Sequence, residues 1–333
     1  MCSRCAILLA VATVLAVGCS RGSKEVAPRE PPHFARQFEL GPLLKGSVHI
    51  HTSLSDGDSS PAEVARWYRE HGYAFIALTD HNRVTDEATA KELSSPDFTV
   101  LRGEEVSMWH AGRQVHVNAL CTRKTIGGGD FASAAEAIRR AVRLTSQQGG
   151  VALINHPNFD WAVSIDDVGA FAGAALIEVA SGHPYVRSKG DAAHPSHEAM
   201  WDAALSRGID LMGVAVDDMH HVDQCGEPSA YPGKGWVFVS TSSSDPDMIC
   251  DALRDGLLVA STGPSLERVE VRGARYVVVP AEPDAKVTFI GASGVLATGV
   301  TSYELRGNEG WVRARVDATG DTQAWTPAVR VAP

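Results

Sequence analysis

Residues 75–81 read Phe-Ile-Ala-Leu-Thr-Asp-His: four apolar residues that run straight into an acid and an imidazole. Three other stretches share the form. Val48-His49-Ile50-His51 carries two histidines at a spacing of two, so both point to one face of an extended chain. Residues 151–156 read Val-Ala-Leu-Ile-Asn-His, and 212–220 read Met-Gly-Val-Ala-Val-Asp-Asp-Met-His. Short apolar runs of this kind are strands buried on both faces, the signature of a parallel sheet. The predicted strands are 48–50, 74–78, 151–154, 175–179 and 211–216. Between them lie predicted helices at 61–71 (Pro61 in the first turn), 131–147 (Phe131, Ala134, Ile138, Val142 near a 3.6 period, closed by Gly149-Gly150) and 196–207. The alternation predicts an α/β fold, open sheet or barrel. One break in the rhythm, 103–120, alternates around Ala111-Gly112 and reads as a β-hairpin. After Gly263-Pro264 no helical period remains, and short β-rich runs between Gly, Asp and Asn turns predict a small all-β module over 264–333.

In a sheet whose strands share a direction, the residues after each run gather at one rim, where barrel sites are built. Four strand ends delivering imidazole or carboxylate to one rim form the ligand set of zinc, manganese or iron. The 333 residues carry 13 His and 40 acidic residues at a net charge of −10, which argues against a broad nucleic-acid surface. The 44% hydrophobic and 21% charged content is that of a globular chain of about two domains.

The apolar stretch 6–17, after Arg4, has the length of a signal-peptide core and is too short to span a bilayer. It ends in Leu-Ala-Val-Gly-Cys19, similar to the lipobox of bacterial lipoproteins. The expected division is a signal peptide over 1–18, a lipidated tether over 19–44, a metal-ligating α/β domain over 45–263 and the β module. Lipid on Cys19 would attach the chain to the cell envelope, with Ser20 favouring the periplasmic side of the outer membrane. Cys121, Cys225 and Cys250 remain beyond it, an odd number that resembles neither a disulfide framework nor a zinc knuckle.

The ordered motifs HIHTSLSDG (49–57), TDHN (79–82), GEEVS (103–107), QVHV (114–117), NHP (155–157) and DDMH (217–220) resemble the PHP (polymerase and histidinol phosphatase) superfamily over about 45–262. The tail, with AWTP at 324–327, is similar to the β extension of envelope members. The resemblance implies a distorted (β/α)7 TIM-like barrel holding two or three divalent ions (Mn, Zn or Fe). It implies His49, His51, Glu105 and Asp218 as ligands of one ion; Asp56, His81 and His220 of a second; and Glu105, His116 and His156 of a third. Some members have His where Asp56 stands, and a carboxylate there favours harder ions such as Mn²⁺. The G-x-E and D-x-H patterns favour Glu105 over Glu104 and Asp218 over Asp217. The implied activity is hydrolysis of a small phosphate ester, a phosphomonoester or small phosphodiester, by metal-activated hydroxide, with Asp218 and His220 near the leaving group. Arg83 and His183 are candidates for holding substrate, and Glu178 for packing or site. His221 is expected to support a ligand. His194 and His197 are expected at the surface, and His33, His71 and His110 to be solvated or structural. A C–N or C–O bond hydrolase, and an envelope lipoprotein that binds metal or ligand without turnover, are the alternatives.

Overall fold

The computed structural model describes residues 36–223 and 229–331; the signal peptide, Cys19, His33, most of the tether and Cys225 lie outside the described residues. The first part of the chain alternates strands and helices: β1 (Phe38–Glu39), β2 (Leu43–Ser47), α1 (Pro61–Glu70), β3 (Phe75–Leu78), α2 (Glu87–Leu93), β4 (Thr99–His110), β5 (Arg113–Leu120), β6 (Gly129–Asp130), α3 (Ala134–Gln147), β7 (Val151–Ile154), β8 (Leu176–Ser181), α4 (His197–Ser206), β9 (Met212–Val216), β10 (Trp236–Ser240), α5 (Pro246–Arg254) and β11 (Leu258–Ser261). Strands then follow one another: β12 (Leu266–Arg272), β13 (Arg275–Pro280), β14 (Lys286–Gly291), β15 (Gly294–Thr298), β16 (Ser302–Glu304), β17 (Gly310–Asp317), β18 (Gln323–Trp325) and β19 (Val329–Val331). Among the described residues no helix is long and apolar enough to cross a membrane.

Capping sets the helix starts. Ser60 accepts from the Glu63 N–H while the Glu63 side chain accepts from the Ser60 N–H, a reciprocal cap with Pro61 in the first turn. The helix expected from 131 begins at Ala134, because Ser133 accepts from the Glu136 N–H and so fixes the boundary. The hairpin of β4 and β5 turns on Ala111 (φ 51°) and Gly112 (φ 76°); two left-handed residues give the twist a two-residue hairpin needs. The strand expected at 48–50 lies earlier. The ladder ends at Ser47, and residues 48–51 run on from it with one bridge, Ile50 to Met219.

Fifteen strands form one sheet whose main order is β15-β14-β17-β18-β11-β10-β2-β3-β4-β5-β7-β8-β9. Parallel ladders join β2 to β3, β3 to β4, β7 to β8 and β8 to β9. β5 pairs antiparallel with both β4 and β7, so six strands point the same way around one reversed strand. The segments after β2 and β9 meet at that Ile50–Met219 bridge, where the His51 N–H donates to the Met219 carbonyl at 2.9 Å. The rim at the ends of β2, β3, β7, β8 and β9 is thereby drawn together.

A second sheet, β1-β12-β13-β16, packs on β14 and β17 through Val269, Tyr276, Phe289 and Val316. Arg313 of β17 is buried against α4, forked onto both oxygens of Asp202 at 2.7 and 2.9 Å, paired with Glu198 at 2.8 Å and lying over the Trp201 ring. The cysteine count suggested no framework, yet Cys121 and Cys250 form a disulfide across 129 residues. Nothing local marks that pair; it exists because Cys121 follows β5 and Cys250 sits on α5.

Candidate metal centre

Each strand that ends at the rim contributes side chains. His49 and His51 follow β2, and the loop beyond them carries Asp56. His81 follows β3, Glu105 stands within β4, and His116 stands on β5. His156 follows β7, and Asp218 and His220 follow β9. All but Asp56, His81 and His220 are almost fully buried. Asp218 holds φ 49°, a conformation costly for a residue with a Cβ and the kind of strain that collects at working sites.

The tightest group comprises His49 Nε2, His51 Nε2, Glu105 Oε2 and Asp218 Oδ1. His49 Nε2 lies 3.1 Å from His51 Nε2, 3.3 Å from Glu105 and 3.4 Å from Asp218; His51 Nε2 lies 3.0 Å from Glu105 and 3.4 Å from Asp218. Glu105 and Asp218 each close a triangle of donors on the shared His49–His51 edge. A cation at the usual zinc bond lengths of about 2.0–2.2 Å fits over the triangle of His49, His51 and Glu105. Two ring nitrogens facing each other at 3.1 Å share at most one proton between them. A cation resolves that conflict, so the donor set fits a metal.

Two looser groups adjoin it. Asp56 Oδ2 lies 3.3 Å from His81 Nε2 and 3.5 Å from His220 Nε2, while Asp56 Oδ1 lies 3.3 Å from His51 Nδ1. Glu105 Oε1 lies 2.8 Å from His116 Nδ1 and 3.2 Å from His156 Nε2. The two oxygens of Glu105 thus face different groups. His156 Nε2 also lies 3.9 Å from Asp218 Oδ2, so the expected third set is shared with the first. A cavity of about 110 Å³ opens on these residues, with Gln114, Phe159 and His183 completing its wall.

Supporting residues fix the donors. Glu178 of β8 is buried; its Oε1 accepts from His49 Nδ1 at 2.7 Å and its Oε2 from the His156 N–H at 2.9 Å. The proton is thereby held on Nδ1 of His49, and Nε2 is left to face the cluster. The Asn155 amide donates to Glu105 Oε1 at 2.8 Å and to Asn118 Oδ1 at 2.8 Å. Asp80 accepts from the Thr52 N–H, the Thr52 hydroxyl and the Ser55 hydroxyl, clamping the loop that carries Asp56. Sequence reasoning did not single out Asn118, Asn155, Gln114 or Phe159. Asn155 beside His156 and Asn118 two residues past His116 were the available signals.

Burial opposes charge throughout the cluster, yet mutual attraction wins for most members. For His49, burial pushes downward, but Asp218, Glu105 and Glu178 hold it well above the ordinary imidazole value. For His51 burial is likewise outweighed, by hydrogen bonds to Asp218 and Glu105, and it rises to about 9. Glu105 and Asp218 lie well below the usual carboxylate range, since their histidine neighbours outweigh burial. Asp56 is lowered too, by His220 and His81 against partial burial. His116 goes the other way, because burial dominates there. Without metal, the carboxylates favour protonated imidazoles, with at most one proton between the facing Nε2 atoms of His49 and His51, and a cation would displace it.

Other sequence expectations fall elsewhere. Arg83 is exposed and outside the cavity wall; the chain turns at Asn82 (φ 51°), whose Oδ1 accepts from the Ser107 N–H, and Arg83 follows that turn outward. Asp217 accepts from Tyr68 Oη, Ser47 Oγ and the N–H groups of Lys234 and Gly235, so it braces α1 and β10. Glu104 accepts from the Ile126 N–H on the opposite face from Glu105. His183 lines the cavity. His221 meets Asp58 at 3.2 Å. His197, expected at the surface, is fully buried: it begins α4 beneath the 157–163 loop, and its Nε2 accepts from the Asn158 N–H. Burial lowers it to about 3.

No family model matches the chain, and no curated protein does either. Solved structures are similar to it at low identity. A two-domain protein from Bacteroides vulgatus containing a predicted PHP-like metal-dependent phosphoesterase is 16% identical, with a TM-score of 0.47, over 90% of this chain and 97% of that one. A protein from Bifidobacterium adolescentis, also assigned by prediction as a metal-dependent phosphoesterase, is 16% identical over 60% of this chain and 91% of its own, with a TM-score of 0.42. An amidohydrolase from Chromobacterium violaceum, holding sulfate and no metal, is 18% identical over 54% and 88%, with a TM-score of 0.36.

Proposed function

We propose that the protein is a metal-dependent hydrolase of small phosphate esters, built on a distorted (β/α)7 barrel over 45–263 with a β module behind it. The observation that carries the reading is the buried meeting of His49 and His51 with Glu105 and Asp218, donor atoms 3.0–3.4 Å apart. In this reading they hold one divalent ion. Asp56, His81 and His220 hold a second, and Glu105, His116 and His156 serve a third, filled by Mn, Zn or Fe. Divalent cations bound there acidify water and neutralise charge that builds on phosphoryl oxygens. Glu105, Asp218, Asp56 and Glu178 supply four negative charges, so three divalent ions leave the site net positive and suited to an anionic ester. Asn155 and Glu178 keep the donor atoms aimed while charge moves. Of the two candidates near the leaving group, His220 is the acid for the leaving oxygen, and Asp218, held well below the usual carboxylate range, is suited to accept a proton from water.

In the same reading the chain is tethered by lipid on Cys19 at the periplasmic side of the outer membrane and binds no nucleic-acid polymer. The Cys121–Cys250 disulfide supports an oxidising compartment of that kind.

The test is phosphate release from a panel of phosphomonoesters and diesters by full chain loaded with Mn²⁺, Zn²⁺ or Fe²⁺. Metal-dependent release is expected, abolished in His49→Ala and Asp218→Ala with unchanged circular dichroism. Stoichiometric metal binding with no ester cleaved would mark a binding protein, and release of amine or alcohol from non-phosphate substrates a C–N or C–O hydrolase.

A further inference from the structure

The cavity over the cluster, about 110 Å³, is well below the several hundred Å³ that enclose an ordinary small ligand. It has room for ions and a phosphoryl group, so the rest of an ester lies across the mouth. The mouth has two unlike sides. One is the loop of Asp56 and Asp58, acidic and partly exposed. The other is a row of rings leading outward from the cluster. Phe159 lies 5.4 Å from His156 and, edge to face, 6.2 Å from His183; His183 in turn meets Tyr185 at 5.6 Å. Tyr185 is 63% exposed, so the row ends in solvent.

The row is rigidly mounted. Asp160 and Trp161 follow Phe159 with φ of 51° and 54°, two consecutive residues in a conformation that side chains disfavour. Trp161 is stacked on His194 at 3.8 Å with Arg187 at 5.1 Å, and its carbonyl accepts from Arg113 at 3.0 Å. Buried Asn158 donates to the carbonyls of Arg187 and Pro195, tying the Phe159 loop to the loop of His183 and Tyr185. Strain held by this much bracing serves a purpose beyond connecting β7 to β8.

We propose that Phe159, His183 and Tyr185 form the leaving-group subsite, and that it selects phosphate esters of flat ring alcohols over small aliphatic ones. The inference rests on the phosphate-ester reading above. Rings stack on the row.

The experiment compares two ligands of like oxygen chemistry on Mn²⁺-loaded full chain: 2-phenylethylphosphonate and ethylphosphonate by calorimetry, with the corresponding phosphate esters as substrates. The phenyl ligand is expected to bind about tenfold more tightly, with the same preference in kcat/KM carried by KM. Tyr185→Ala, at an exposed position, should cut the preference to below about threefold, and Tyr185→Phe should restore it; Phe159→Leu should also reduce it. Equal binding of the two phosphonates, or a preference undiminished in Tyr185→Ala, overturns the subsite and leaves the hydrolase reading standing. Binding of neither phosphonate, together with no ester cleaved, overturns the hydrolase reading and the subsite with it.

Discussion

Replacing Glu178 by Gln changes one atom of a buried side chain and tests whether the cluster is built for a cation. Glu178 accepts twice, from His49 Nδ1 at 2.7 Å and from the His156 N–H at 2.9 Å. Glutamine accepts through its oxygen only, so its NH₂ must face a donor. If it faces the backbone N–H of His156, that buried donor goes unpaired at a cost of about 1–3 kcal/mol. If it faces His49, the imidazole relieves the clash by moving its proton to Nε2, which then points at His51 Nε2 and Glu105 Oε2 where a cation would sit. Either outcome disturbs a donor atom without changing its identity. Loss of such a partner typically weakens metal affinity 10–100-fold, or about 1.4–2.7 kcal/mol. The assay is competition for Zn²⁺ and Mn²⁺ against a chromophoric chelator, with urea unfolding of the metal-free protein as control. Affinity within about threefold of wild type, in a variant that folds normally, would refute the argument that Glu178 sets the tautomer of His49.

Loading with metal should release protons at pH 7, because His51 is raised to about 9 in the metal-free protein and its proton must leave; a pH-indicator titration in weak buffer that finds no release contradicts this. The same raised value makes the His51 contribution to metal-free stability full below about pH 6.5 and lost as pH rises through 9, so unfolding midpoints of the metal-free chain should fall across that interval and stay flatter when metal is bound. Joint replacement of Cys121 and Cys250 by Ser should cost about 3–5 kcal/mol in urea unfolding, since the bridge closes a loop of 129 residues; a loss under about 1 kcal/mol would show that the bridge scarcely restrains the unfolded chain. Arg313→Leu should destabilise by about 3–5 kcal/mol by leaving Asp202 without its cation, while Glu198 keeps Arg315, and Arg313→Leu with Asp202→Leu should recover part of it; no recovery would place the cost in packing on Trp201 instead.

Much of this molecule is legible in one dimension. A strand that is buried on both faces is apolar throughout, and the first polar residue after it marks the rim, so the histidines of 48–51, 75–81 and 151–156 announced where they stand. The Ala111-Gly112 turn was readable because a two-residue hairpin needs left-handed residues. His197 was misplaced because a polar stretch of sequence does not tell which of its side chains a loop will cover, and Arg83, a candidate beside a motif, stands exposed because that position does not fix which way a turn throws a side chain. Arg83 went outward past Asn82, and His197 went beneath a loop whose path depends on Asn158.

The sequence by itself determined which side chains could hold a cation, since ligand chemistry belongs to residue types and strand ends collect on one side of a parallel sheet. It did not determine which atoms of those side chains meet. Nε2 of both His49 and His51, the acceptor role of Glu178 and the pairing of Cys121 with Cys250 were decided by the fold, which brings the ends of β2, β8 and β9 to one rim and sets Cys121, after β5, against α5. Those choices depend on contacts between side chains carried by different elements, such as the 2.7 Å from His49 to Glu178 across 129 positions, and only the folded chain sets distances of that kind.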